Sequence, residues 1–148
     1  MAEDDANAPG ADPFDLGRFV EAQDSVYPAV LTELRAGAKR THWIWFVFPQ
    51  LRGLGHSTTA HRFGISSMAE ARAYLEHPIL GARLRECAAM LLAHEGRSAR
   101  EILGYPDDLK VCSSMTLFAH AGQDRVFGAV LDAFYNGQED SATLKLLG

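Results

Sequence analysis

Cysteine is scarce in this chain. Its 148 residues include two, Cys87 and Cys112, too few and too far apart for a disulfide framework or a zinc ribbon. Long apolar runs are missing too: no stretch approaches the ~20 residues of a membrane span. Residues Met1 to Asp12 contain no lysine, no arginine and no apolar segment, so no secretory signal is expected and the chain reads as cytoplasmic. Basic residues are outnumbered, 14 against 19 acidic, for a net charge of −5; nucleic acid is not an expected partner. No His-Glu-x-x-His occurs, and His56 and His61 have no carboxylate beside them, so no metal site and no cofactor are expected.

What is present is the composition of a folded domain. Hydrophobic residues make up 47% and charged residues 22%, close to the globular average and far from that of a disordered chain. The length suits one domain. The acidity is concentrated in a tail: Glu3, Asp4, Asp5 and Asp12 are not balanced by any base before Arg18, and without them the body is nearly neutral. Residues 1–11 are therefore expected to form a disordered acidic tail, and residues 12–148 a single compact, mainly α-helical domain. Within that body, no acid occurs between Glu33 and Glu70, while Arg35, Lys39, Arg40, Arg52 and Arg62 fall in the same stretch with His42, His56 and His61. Such a region makes a positive surface if the fold keeps it together; the plainer alternative is a basic helix end.

Helical signals run along the body. Asp12-Pro13 reads as N-cap and first helical position for a helix to about Gln23. Tyr27, Val30, Leu31 and Leu34 give the i, i+3, i+4, i+7 spacing of an amphipathic helix that Gly37 closes. Ser67 with Glu70, and Ser98 with Glu101, read as capping boxes. His77-Pro78 separates the first of these helices from a longer one to about His94, whose buried stripe includes Leu80, Leu84, Cys87 and Leu91. Asp107 or Asp108 is expected to cap a helix to Ala121, Asp124 to precede one to Tyr135, and Ser141 to cap a last one near Leu147. His42-Trp-Ile-Trp-Phe-Val-Phe48 is apolar all round and fits either a buried strand or a buried helix; helix is preferred, because no second strand is available to pair with it. Trp43, Phe46 and Val47 are expected in the core; the alternative is that Trp43, Trp45 and Phe46 stack a base or sugar, but an unbroken aromatic run is far more often core.

Two blocks carry a resemblance. His42-Trp43-Ile44-Trp45-Phe46-Val47-Phe48-Pro49-Gln50 and Asp107-Asp108-Leu109-Lys110-Val111-Cys112-Ser113-Ser114-Met115-Thr116-Leu117-Phe118, with the opening Asp12-Pro13-Phe14-Asp15-Leu16, resemble the signature segments of the bacterial domain-of-unknown-function family numbered 1810. The likeness runs from about Asp12 to the C-terminus. It implies a small, mostly helical bacterial cytoplasmic protein and brings no catalytic role with it. Sequences of this kind have sometimes been labelled calpastatin. That inhibitor is a disordered chain, and the folded composition here speaks against the label.

The same blocks supply the candidate site. His42 and Lys110 are the candidate catalytic groups: an imidazole for proton transfer and an ammonium for an anion. Gln50, Arg52 and Ser57 belong to a polar loop whose Gly53 and Gly55 allow backbone amides to face an anion. The loop lacks the ending of a Walker sequence. Lys110 and Ser114 share a helix face, as do Ser113 and Thr116; with His77 these complete the candidate ligand-binding set. Each also has a structural reading. The hydroxyls can bond back to the preceding turn, His42 can serve a carbonyl, and the glycine loop can be plain surface. Two functions follow: a polar cleft for an anionic small molecule such as a nucleotide or phosphorylated metabolite, with or without catalysis, or a non-catalytic protein-interaction domain with a basic face. The first requires His42, Gln50 and Lys110 to converge on one concavity.

Overall fold

The computed structural model describes residues 11–148. The expected acidic tail lies outside the described residues, apart from Ala11. Among the described residues the chain forms ten helices: α1 Gly17–Asp24, α2 Tyr27–Ala36, α3 Ile44–Val47, α4 Thr58–Arg62, α5 Met68–Glu76, α6 Leu80–Leu92, α7 Ala99–Leu103, α8 Asp107–Ala121, α9 Arg125–Tyr135 and α10 Ser141–Leu147. The mainly α-helical reading holds. Extended pairing among these residues is limited to two isolated bridges, Leu51 with Ile65 and Glu95 with Arg97. No helix described is long and apolar enough to cross a membrane.

Local chemistry sets the helix ends. Gly37 closes α2 in the left-handed conformation (φ 66°), its N–H reaching the carbonyls of Glu33 and Leu34. Ser98 and Glu101 form a complete capping box on α7. The box on α5 is half-made: Ser67 accepts from the Glu70 amide, but the Glu70 carboxylate turns to Ser66 and Arg18 instead. Asp12 accepts from the amides of Leu16 and Gly17. Residues 12–16 therefore form turns, with Asp15 at φ 54°, and α1 starts three residues later than Phe14. Pro106, not an aspartate, stands at the N-cap of α8. Asp140, not Ser141, caps α10, accepting from the Thr143 amide and hydroxyl. The aromatic block is helical for a single turn before Pro49.

Helix α8 is the central element, packed by α3, α5, α7, α9 and α10, while α6 packs on α2, α3, α5 and α9. A ladder of rings crosses the core from Phe46 through Phe63, Phe19, Tyr74 and Phe118 to Phe127, with successive centroids 5.1–6.0 Å apart. Each such contact adds about 0.5–1.5 kcal/mol beyond area burial. Trp43 and Val47 are buried as expected, but Phe46 is only half-buried. Gln23, 1% exposed, ties α1 to the block: it donates to the Phe46 carbonyl at 2.6 Å and bonds the Tyr74 hydroxyl at 3.1 Å.

Candidate functional site

The segment between α2 and α3 is held by one buried carboxylate. Glu33 accepts from the amides of Arg40 and Thr41, from the Thr41 hydroxyl and from the Trp43 indole, at 2.6–3.1 Å. Burial alone would push this carboxyl up. The hydrogen bonds win, and it is held down at about 2. The anchored segment then delivers Lys39 and His42 to the start of α8. Lys39 donates its amide to the Ile102 carbonyl and its ammonium to the Thr41 carbonyl at 2.6 Å. The same ammonium pairs with Asp107 at 2.7 Å and lies 4.9 Å from the centre of the Trp43 ring.

Here a cleft of about 260 Å³ opens. The segment before and within α3 contributes Lys39, His42, Ile44 and Trp45, and the start of α8 with the turn before it contributes Tyr105, Pro106, Asp107 and Lys110. His42 is exposed, Trp45 is half-buried and Tyr105 is 66% exposed. Lys110 lies 4.7 Å from the centre of the Trp45 ring and 3.8 Å from the second oxygen of Asp107. One carboxylate therefore stands between two ammonium groups, the nearer pair tight and the farther pair loose, so the cleft keeps one positive charge in excess. The combination suits a ligand with an anionic group and a flat ring.

The other candidates are placed elsewhere. Gln50 lines a smaller hollow with Trp45, Leu51, Gly55, Phe63 and Gly64; of these only Trp45 also lines the cleft of Lys110. Arg52 lines a third hollow. Ser57 caps α4, accepting from the Ala60 amide, so part of the expected loop is helix. His77 is spent on the turn that leads into α6, its Nδ1 accepting from the amides of Ile79 and Leu80. Ser113 donates to the Leu109 carbonyl. Thr116 donates to the Cys112 carbonyl at 2.8 Å and accepts the Asp140 amide at 2.9 Å, which fixes the entry to α10. Ser114 is fully buried, and among the described residues its hydroxyl has no partner. The convergence expected of His42, Gln50 and Lys110 is thus made by two of the three. Helical spacing puts Ser114 on the side of Lys110, but one turn deeper, where neighbouring helices already cover α8.

Six of the eight lining residues escaped the sequence reading of the site: Lys39, Ile44, Trp45, Tyr105, Pro106 and Asp107. The basic stretch contained the first, Ile44 and Trp45 lie in the aromatic block, Tyr105 and Pro106 precede the second block and Asp107 opens it. Among the described residues no group of three His, Cys, Asp or Glu side chains is placed to hold a metal ion. Burial pushes the thiols of Cys87 and Cys112 up, to about 12 and about 11, so neither is an activated nucleophile.

Comparison with known proteins agrees with this architecture. The chain belongs to the family described as Protein of unknown function (DUF1810), whose model matches residues 13–147. A comparison with curated proteins returns no match. Among solved structures the chain is similar to the conserved hypothetical protein Rv1873 from Mycobacterium tuberculosis, with 60% identity over 92% of this chain and 98% of that one and a TM-score of 0.91.

Proposed function

We propose that this member of the DUF1810 family binds an anionic small molecule bearing a planar ring, a nucleotide being the best fit, in the cleft between α3 and the start of α8. The supporting observation is that His42 and Lys110, from two sequence blocks far apart in the chain, line one concavity with Lys39, Trp45 and Tyr105. Lys39 is committed to Asp107 and to a carbonyl. Lys110 is held only at 3.8 Å, so its ammonium is the one to meet a phosphate, with the ring against Tyr105 or Trp45. His42 at the rim is the group for proton transfer should the ligand react.

Calorimetric titration with adenosine 5′-monophosphate tests this reading. Wild type binds, Lys110→Ala weakens binding by about tenfold, and its melting temperature stays close to that of wild type, because a loose surface pair contributes little. Equal affinities, or no binding by either protein, would sink the proposal. The second reading, a protein-interaction face, draws on Tyr105 and Leu109, 66% and 51% exposed beside the cleft. It gains if the nucleotide does not bind.

A further inference from the structure

The hollow that Arg52 lines, of about 400 Å³, shares no lining residue with this cleft. Arg18, Arg52 and Arg62 meet there with Asp15, Ser66 and Glu70, beside Pro13 and Phe14. Three guanidinium groups in one concavity repel one another unless something separates or neutralises them. The structure accounts for one of them. Arg18 is a clamp: its five N–H groups go to the carbonyls of Phe14, Asp15, Arg62 and Gly64 and to the Glu70 carboxylate. The other Glu70 oxygen accepts the Ser66 amide and hydroxyl. With side chains 9% and 2% exposed, Arg18 and Glu70 form a satisfied, internally neutral floor.

Arg52 and Arg62 are different. Arg52 is aimed by its backbone. Its amide donates to the Ile65 carbonyl at 2.8 Å, and the Ile65 amide donates to the Gln50 carbonyl. Gly64 makes the close approach possible, since a Cβ there would stand 2.9 Å from the Arg52 Cα. The Arg52 Nε donates to the His61 carbonyl at 3.1 Å. That bond fixes the plane of the group and leaves its outer N–H edge for a ligand. Arg62 packs its guanidinium 5.2 Å from the Phe63 ring centre. Its backbone, not its side chain, serves the clamp. Among the described residues neither guanidinium is within ion-pair distance of a carboxylate. Set against Asp15, the two leave one positive charge in excess.

We infer that this hollow is a second ligand site, in which Arg52 and Arg62 hold the phosphate group of a small phosphate monoester. Paired planar forks match a tetrahedral oxyanion as a single ammonium does not. The volume exceeds what a bare phosphate needs, and Pro13 with Phe14 gives the organic part an apolar wall.

The full-length chain is titrated with ribose 5-phosphate and, separately, with inorganic phosphate, by calorimetry and by amide NMR. Wild type binds ribose 5-phosphate more tightly than inorganic phosphate, with shifts centred on residues 62–66 and affinity that falls as salt rises. Arg62→Ala and Arg52→Ala each weaken binding by at least about tenfold, Arg52→Lys recovers only part of the loss, and Lys145→Ala, an exposed cation that lines neither hollow, binds as wild type does. Arg62→Ala retains the carbonyl used by Arg18, so it decides the matter if Arg52→Ala loosens the fold. No binding by wild type, or arginine variants that bind as wild type does, would overturn the site.

Discussion

Glu33 lies outside either cleft, and its one carboxylate accepts four hydrogen bonds. Replacing it with glutamine keeps the size and removes the charge, and it sets an NH2 group among four donors that need an acceptor. The carboxyl is held from its ordinary 4.5 down to about 2. At about 1.36 kcal/mol per pKa unit this corresponds to roughly 3 kcal/mol, and nearby solvent reduces it to on the order of 2 kcal/mol. A lowered carboxyl stabilises the fold fully above its unfolded value and loses that contribution as the pH falls through its folded value. Urea denaturation of wild type and Glu33→Gln, followed by tryptophan fluorescence, should therefore differ by about 2 kcal/mol near neutral pH, and the gap should close between about pH 4.5 and pH 2. Trp43 makes the readout local, because its indole N–H is one of the four donors. Two curves running parallel through the acid range would refute the reasoning, since the carboxylate would then contribute nothing that protonation removes.

Two further outcomes follow from burial. Phe118, fully buried in the ring ladder, should lose about 3–5 kcal/mol on truncation to alanine, and the half-buried Phe46 distinctly less; equal losses in chemical denaturation would contradict the placement of Phe46. Thr116→Val should destabilise by roughly 1–3 kcal/mol because it strands the Asp140 amide, whereas Ser114→Ala should be neutral or stabilising because that hydroxyl has no partner to lose. Thermal melts in which Ser114→Ala is the worse of the two would show that its hydroxyl is engaged.

Where one local rule decides an element, the sequence was a sufficient guide. Gly37 ends α2 because only a left-handed residue closes that turn easily, and Ser98 with Glu101 opens α7 because both halves of the box are free to form. The rule failed at Ser67 because a distant arginine, Arg18, competes for Glu70. It failed at Ser141 because the preceding Asp140 offers a better acceptor, and neither competition is visible in a short window. The site followed the same division. His42 and Lys110 could be named because each adjoins a distinctive block. The hydroxyls of α8 were misleading for a physical reason. A helix covered from several sides has no single apolar stripe, so Ser113, Ser114 and Thr116 look like a polar face when they are interior groups bonded to their own turn, to a neighbouring loop or to nothing.

The acid-free stretch acquires a sharper meaning from the two glutamates that bracket it. Glu33 and Glu70 are both turned inward, 8% and 2% exposed. Each is saturated by donors from the segment it borders: Arg40, Thr41 and Trp43 for the first, Ser66 for the second with Arg18. Residues 34–69 therefore present cations to solvent with no carboxylate of their own. The acids that do face them, Asp107 beside Lys39 and Asp15 beside the arginines, come from other parts of the chain and are outnumbered in each hollow by the cations that share it. Burying the bracketing carboxylates stabilises the loop that carries His42 and the turn that carries Arg62. It also leaves the positive potential of the stretch uncancelled at the surface, where Lys110 joins it in one cleft and a pair of arginines concentrates it in the other.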